Sequence, residues 1–297
     1  MNTVEVSQVG KSFKGVKVVD NVSFNIVQGE IFGMVGPNGA GKTTTIRMLM
    51  DIIKPDSGEI KIMGEPINEA TKDRIGYLPE ERGLYKKLTV TESLYYLASL
   101  KNMRRSQARD RATQLLERVN MLTHKDKKTE ELSHGMGQLI QFIATILHNP
   151  ELVILDEPFA SLDPVNTQLL KDFIRELKNQ GKAVVMSTHM MNQVEELSDR
   201  ILMINKGRVV LYGSLGEIKS KYRNNSVFIE CDRLPESITG VVGSKNHGKH
   251  VELFLDGQTS PQAVLKDIIG KGAVVDRFEI STPSLNEIFI QVVKETR

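Results

Sequence analysis

The 297-residue sequence holds a single cysteine, Cys231, and no tryptophan. One thiol closes no intramolecular disulfide, so the fold must rest on its core, and a reducing compartment fits. Cys231 itself is expected to act as a small buried apolar residue. Long hydrophobic runs are absent too: none approaches the roughly 18–20 residues needed to cross a bilayer. The N-terminus, Met1-Asn2-Thr3-Val4-Glu5-Val6, lacks a basic stretch leading into an apolar core, so no signal peptide is expected. A soluble chain that reaches a membrane only through a partner follows. Charge of one sign is also missing. With 39 basic and 37 acidic side chains the net charge is +2, too small to predict a nucleic-acid partner. The basic run Lys125-Asp126-Lys127-Lys128 reads as a solvated loop. There is no internal repeat, low-complexity tract, sustained heptad or CxxC pair.

Against that background one segment stands out. The apolar run Glu30-Ile31-Phe32-Gly33-Met34-Val35 leads into Gly36-Pro37-Asn38-Gly39-Ala40-Gly41-Lys42-Thr43-Thr44, and a helical pattern, Thr45–Met50, follows. Strand, G-x-x-x-x-G-K-T and helix in this order form a phosphate cradle. The glycines let backbone N–H groups turn inward with no Cβ in the way. The helix adds its unpaired N–H groups and positive dipole end. Lys42 would reach the β- and γ-phosphates, and the Thr43 hydroxyl would hold Mg²⁺. The pattern predicts binding of a nucleoside triphosphate.

The rest of the chain supplies a frame for that cradle. Val4–Val9 and Val18–Ile26 alternate as strands of an antiparallel edge sheet. Short strands are expected at Glu59–Ile62 and Arg74–Leu78, and helices at Thr89–Asn102 and Ser106–Val119, which interrupt the β/α alternation. Val153–Leu155 and Ala183–Met186 are continuous apolar runs, as in parallel strands buried on both faces, with the amphipathic helix Val165–Asn179 between them. Ile201–Ile204 and Val209–Leu211 flank an Asn205-Lys206-Gly207 turn. Residues 219–226 turn polar and aperiodic and read as a linker. Beyond it Val227–Glu230, Val251–Leu255, Ala263–Ile269 and Val274–Ile280 suggest β-β-α-β, closed by a helix at Leu285–Val293. Since single cores stop growing near about 250–300 residues, the expectation is an α/β P-loop NTPase over residues 1–219 and a small α+β domain over 226–297. The large domain combines a parallel core sheet, an antiparallel edge sheet and a helical insert at about 88–147.

A second chemical signal lies at the end of Leu152-Val153-Ile154-Leu155-Asp156-Glu157. A buried strand would deliver Asp156 rigidly to the Mg²⁺ side of the phosphates. Glu157 would position and deprotonate the water that attacks the γ-phosphate.

With Leu132-Ser133-His134-Gly135-Met136 between cradle and acidic strand, the sequence resembles the ATP-binding cassette (ABC) ATPases, whose signature there is LSGGQ. The resemblance covers roughly residues 1–219. It implies a head-to-tail homodimer, or a pair with a second cassette subunit. Each ATP would lie between one cradle and the partner's signature helix, where Ser133 and the N–H groups near Gly135 form a second anion nest. It further implies that His189 contacts the γ-phosphate, that Asp163 in Ala160-Ser161-Leu162-Asp163 lies in the loop crossing the interface, and that Phe13 stacks on adenine. The implied cofactors are ATP and Mg²⁺. The implied partners are integral membrane permease subunits, with the chain peripheral on the cytoplasmic face of the membrane and no nucleic acid involved.

This sequence departs from the family pattern at His134 (usually Gly), Met136 (usually Gln), Ala160-Ser161 and Glu80, where a Gln normally touches Mg²⁺. A carboxylate there would grip the metal more strongly than an amide yet repel the γ-phosphate. At about 4 Å and an effective dielectric near 20 each such term is worth roughly 4 kcal/mol. The terms nearly cancel, so activity with unusual metal dependence is expected, and Glu80 joins Thr43 and Asp156 as a candidate metal ligand. The run from Gly76 to Tyr85 and the tail Pro283–Phe289 resemble the sodium-export and drug-resistance-type ATPases of ABC-2 exporters. A soluble cassette protein acting on ribosomes or DNA is the rival reading. Single-cassette length and the lack of coiled coils or zinc modules weigh against it.

Overall fold

A computed structural model describes residues 2–81, 83–222 and 225–295, with the side chain of residue 295 excepted. Arg82, within the run that resembles exporter ATPases, and Arg223-Asn224, within the expected linker, lie outside the described residues. The chain divides into two compact units, Met1–Leu215 and Gly216–Arg297.

The first unit opens with β1 (Asn2–Phe13), β2 (Val16–Val27) and β3 (Ile31–Val35), then α1 (Lys42–Leu49), β4 (Ser57–Ile62), β5 (Glu65–Pro66), α2 (Glu69–Asp73) and β6 (Ile75–Leu78). The insert follows as α3 (Val90–Ser99), α4 (Arg105–Arg118) and α5 (His134–Ile146). The alternation resumes with β7 (Leu152–Asp156), α6 (Pro164–Asn179), β8 (Ala183–Thr188), α7 (Met191–Leu197), β9 (Arg200–Asn205) and β10 (Arg208–Ser214). Strands run in the order β2-β1-β4-β5 in an antiparallel edge sheet and β10-β9-β3-β8-β7-β6 in the core sheet. Within the core sheet every neighbouring pair from β9 to β6 is parallel, and β10 is antiparallel to β9.

Burial explains the layering. β3, β7 and β8 are buried at every residue, so both faces of the core sheet must be covered. On one face α1 is sandwiched beneath the edge sheet: its Ile46, Met48 and Leu49 share a core with Val6, Phe24 and Ile26 and with Phe32, Ile154 and Leu202. Elsewhere in this unit α5 and α6 meet through Phe142 and Phe173, ring centroids 5.6 Å apart and edge-on. Register then fixes the site. Val35 pairs with Thr188, and Asp156 pairs with Ser187. The C-terminal ends of β3, β8 and β7 therefore emerge side by side, as ligand-binding ends do in open α/β sheets.

Partly buried just beyond α5, the His148 imidazole has its Nε2 3.1 Å from the Ile75 carbonyl oxygen. Burial first, then the charges of Lys101 and Arg111, push its pKa down to about 4. A depressed folded pKa means that the unfolded chain takes up the proton first as pH falls from about 6.5. The contribution is thus fully present above about 6.5 and is lost toward pH 4. Stability should fall by about 2 kcal/mol between pH 7 and pH 5 from this residue alone. Urea unfolding of a His148→Gln variant, whose amide can still donate to Ile75, should show a flatter acid limb.

The second unit contains most of α8 (Leu215–Lys221), then β11 (Ser226–Cys231), β12 (Val241–Asn246), β13 (Val251–Leu255), α9 (Pro261–Gly270), β14 (Val275–Ile280) and α10 (Leu285–Glu295). Its antiparallel sheet has the order β12-β13-β11-β14, and Val227, Ile229, Leu253 and Leu255 form a core with Val264 and Ile268 of α9. Three expectations need correction. The first three residues of the expected linker continue α8, where Lys219 and Lys221 suit the negative end of the helix. The unit also has one strand more than expected: β12, with Gly243 and the polar Ser244-Lys245-Asn246, is an edge strand exposed at Val242 and at each of its last three residues. Cys231 is partly rather than fully buried, packed against this core. None of the described helices is long and apolar enough to cross a membrane.

Candidate nucleotide site

At the end of β3 the chain turns through the cradle into α1. The close approach of β9 dictates Gly36: a Cβ there would sit 2.1 Å from the Ile204 carbonyl oxygen, a backbone atom that cannot swing away. Gly41, the N-cap of α1, has φ 107°, and a Cβ on it would meet the Val18 carbonyl oxygen at 2.7 Å. No side chain caps α1, and its first turn carries no acid, so its N-terminal N–H groups are left for an anion.

Lys42 is only 6 % exposed. Its ammonium donates to the Gly36 carbonyl at 2.7 Å and to the Pro37 carbonyl at 3.2 Å, which leaves one N–H donor. Burial lowers its pKa, while Glu157, Asp156 and Glu80 pull it back up. The charges of these three carboxylates therefore all act on one ammonium.

Asp156 is fully buried, and neither carboxylate oxygen has a hydrogen-bond partner. The Ser187 and Thr43 hydroxyls lie near enough to favour its charged form, but distance and angle give no hydrogen bond to either. Burial dominates and raises its pKa, with Glu80 and Glu157 adding repulsion. An orphaned buried carboxylate is costly, and a hard divalent cation is the partner that such oxygens suit. Among the described residues no three His, Cys, Asp or Glu side chains form a metal cage. Any cation here would thus borrow phosphate oxygens, which is how Mg²⁺ is held beside a nucleotide.

Glu157 follows with φ 48°, a left-handed backbone unusual for a non-glycine residue and typical of strained functional turns. Its side chain is held from two directions. Oε2 accepts from the Thr188 hydroxyl at 2.9 Å; Oε1 accepts from the His189 backbone N–H at 3.1 Å and lies 2.9 Å from His189 Nδ1. Nε2 is left as the second nitrogen of a largely exposed imidazole.

The structure brings together only part of the predicted set. One cleft of about 200 Å³ is lined by residues 38–44, Glu80, Glu157 and Val18. Gly36, Pro37, Asp156 and His189 are not among its walls but join it through Lys42 and Glu157, whereas Ser133, Gly135, Asp163 and Phe13 do not line it at all. Ser133 instead caps α5, its hydroxyl accepting from the Met136 N–H at 3.3 Å. Asp163 caps α6 in the same way, accepting from the Asn166 N–H at 2.9 Å. Phe13 is 45 % exposed, with the Lys11 ammonium 5.6 Å from its ring centroid; it is not a core residue of the edge sheet.

Sequence reasoning missed two residues. Gln138 on α5 donates to the Pro158 carbonyl at 3.2 Å, just after the acidic pair. Gln141, one turn on, bonds the loop that carries Glu80. Two glutamines three apart in the largely apolar run from Gln138 to Ile146 were the available signal, since buried amides need partners.

Comparison with known proteins places this geometry. Residues 19–160 match the ABC transporter family, and residues 213–293 match the ATP-binding protein DrrA1-3-like C-terminal domain. The chain is 42 % identical over 291 residues to the uncharacterized ABC transporter ATP-binding protein YhaQ of Bacillus subtilis, covering 97 % of each. It is 33 % identical to the linearmycin resistance ATP-binding protein LnrL of the same organism, covering 99 % of both. A solved structure of an ATP-binding subunit of an ABC transporter superposes with a TM-score of 0.70 at 29 % identity, over 74 % of this chain and 93 % of that one. The chain belongs to the ABC transporter ATP-binding protein family: it is an ATP-binding, ATP-hydrolysing subunit of a transporter. The rival reading, a soluble cassette acting on ribosomes or DNA, is thereby set aside.

Proposed function

We propose that the chain drives an exporter by closing head-to-tail on a second cassette, most simply another copy of itself, around two molecules of Mg·ATP. The observation that carries this reading is the fully buried, unpartnered Asp156 beside the Lys42 cradle, with Glu157 held over the same cleft. Lys42 supplies the positive charge for the β- and γ-phosphates. Thr43, Asp156 and Glu80 are the oxygen donors for Mg²⁺, which when bound would neutralise charge on the phosphates as the terminal bond breaks. Glu157, fixed by Thr188 and His189, accepts the proton of the attacking water. Because Nδ1 of His189 is engaged by Glu157, Nε2 is the atom offered to the γ-phosphate. Phe13, exposed on the edge sheet, stacks on adenine.

The pocket is open on one side. Ser133 and Gly135 stand at an exposed helix start outside the cleft, so their natural ligand is the γ-phosphate held by the partner copy, and Asp163 lines the loop between the two sites. ATP then stabilises the closed pair and hydrolysis releases it. Export is favoured by the DrrA-like C-terminal match and by the relative whose name records linearmycin resistance. The membrane subunits would dock in a groove of about 280 Å³ beside the Glu80 loop, lined by Tyr77, Pro79 and Leu84 and by Leu97 of α3. The chain would then sit on the cytoplasmic face of the membrane through these subunits.

The test is a pull-down from detergent-solubilised membranes of the expressing cells. A multi-spanning protein should co-purify and raise the chain's ATPase rate when recombined with it. Recovery of ribosomes, or of soluble proteins alone, would contradict the reading.

A further inference from the structure

Helix α5 passes behind the loop that holds Glu80, and one side chain joins the two. Gln141 is only 4 % exposed, among Leu139, Ile140, Phe142 and Ile143, all buried. A primary amide in such surroundings is costly unless its donors and acceptor are used. They are used on a single target: Oε1 accepts from the Gly83 N–H at 3.3 Å, and Nε2 donates to the Pro79 carbonyl at 3.3 Å and the Glu81 carbonyl at 3.2 Å. The bonded groups flank Glu80 on both sides. Within β6, two residues before the loop, Tyr77 is tied in too, its carbonyl accepting from the Thr145 hydroxyl at 3.3 Å. Glu80 itself lines the nucleotide cleft with Lys42, Thr43 and Glu157, and its charge is felt by Lys42 and Asp156.

We propose that Gln141 is a positioning residue for the metal: by clamping the backbone on either side of Glu80 it holds that carboxylate toward the Mg²⁺ side of the cleft. The proposal rests on the reading of Glu80 as a metal donor given above. It explains why a glutamine occupies a helix face that packing alone would fill with leucine. The same clamp makes the Glu80 loop a rigid extension of α5, the helix that starts at Ser133. A hinge in this loop would let Glu80 swing away from the phosphates at no energetic gain, so a fixed loop raises metal affinity by removing that freedom.

The experiment compares Glu80→Gln, Gln141→Met and the double variant in the full chain, measuring binding of a fluorescent ATP analogue with Mg²⁺ titrated in and with chelator. Without divalent cation Glu80→Gln and the double variant should bind nucleotide more tightly than the parent, because a carboxylate facing the phosphates is gone. With Mg²⁺, Gln141→Met should raise the half-saturating metal concentration by about fivefold to tenfold, the scale of one lost hydrogen bond or slightly more. Glu80→Gln should raise it similarly, and the double variant should add little, because both changes remove the same placed carboxylate. Additive effects, or a Gln141→Met chain that melts earlier yet keeps the parent's Mg²⁺ requirement, would overturn the clamp while leaving Glu80 as a donor. An unchanged Mg²⁺ requirement in Glu80→Gln would overturn the assignment of Glu80 and the clamp with it.

Discussion

A Glu157→Gln variant is expected to bind ATP as the parent chain does and to hydrolyse it about 10²–10⁴-fold more slowly, the range lost with a general base. The substitution is nearly isosteric, and the amide oxygen can still accept from the Thr188 hydroxyl or the His189 N–H. The turn should therefore keep its shape. What the amide cannot do is take a proton from water. Steady-state phosphate release and equilibrium nucleotide binding separate these effects. If turnover stays near the parent rate, another group handles the water, and the left-handed backbone at Glu157 has some other purpose.

The second large effect is expected at Lys42. Its ammonium feels the charges of Glu157, Asp156 and Glu80, so replacing it with alanine leaves those carboxylates without the cradle's own cation beside a polyphosphate. One charge pair at about 4 Å in an effective dielectric near 20 is worth roughly 4 kcal/mol. A Lys42→Ala chain should thus lose about 10²–10³-fold in ATP affinity, and its turnover should fall with it. The Gly36 and Pro37 carbonyls also lose their donor, so a modest drop in melting temperature should accompany the change. Calorimetric titration with Mg·ATP gives the affinity. Unchanged affinity would remove Lys42 from the phosphate site.

Much of this site was legible in the sequence because its parts are local. The cradle is one unbroken stretch whose glycines answer to backbone contacts, as Gly36 against Ile204 shows, and Asp156-Glu157 end a strand apolar enough to be buried throughout. The family resemblance was carried by the same stretches. What could not be read was whatever depends on packing between distant segments. The two bonds that fold Lys42 over its own loop, the left-handed turn at Glu157 and the grip of Gln141 on residues 58 to 62 positions earlier all need three dimensions. In the second unit the hidden element was β12. An edge strand need bury only one side, and Gly243 with three polar neighbours leaves almost no alternating pattern. The start of the expected linker failed for the converse reason: lysines at 219 and 221 look like loop residues in sequence, yet they suit the last turn of α8.

The two-fold closure is tested most directly by the mass of the Glu157→Gln chain in solution. Light scattering after size-exclusion chromatography should give twice the protomer mass with ATP and Mg²⁺ and a single protomer with ADP, and a Ser133→Arg change at the exposed start of α5 should restore the single protomer even with ATP. A monomer under saturating ATP, or a dimer indifferent to the nucleotide and to residue 133, would contradict the account.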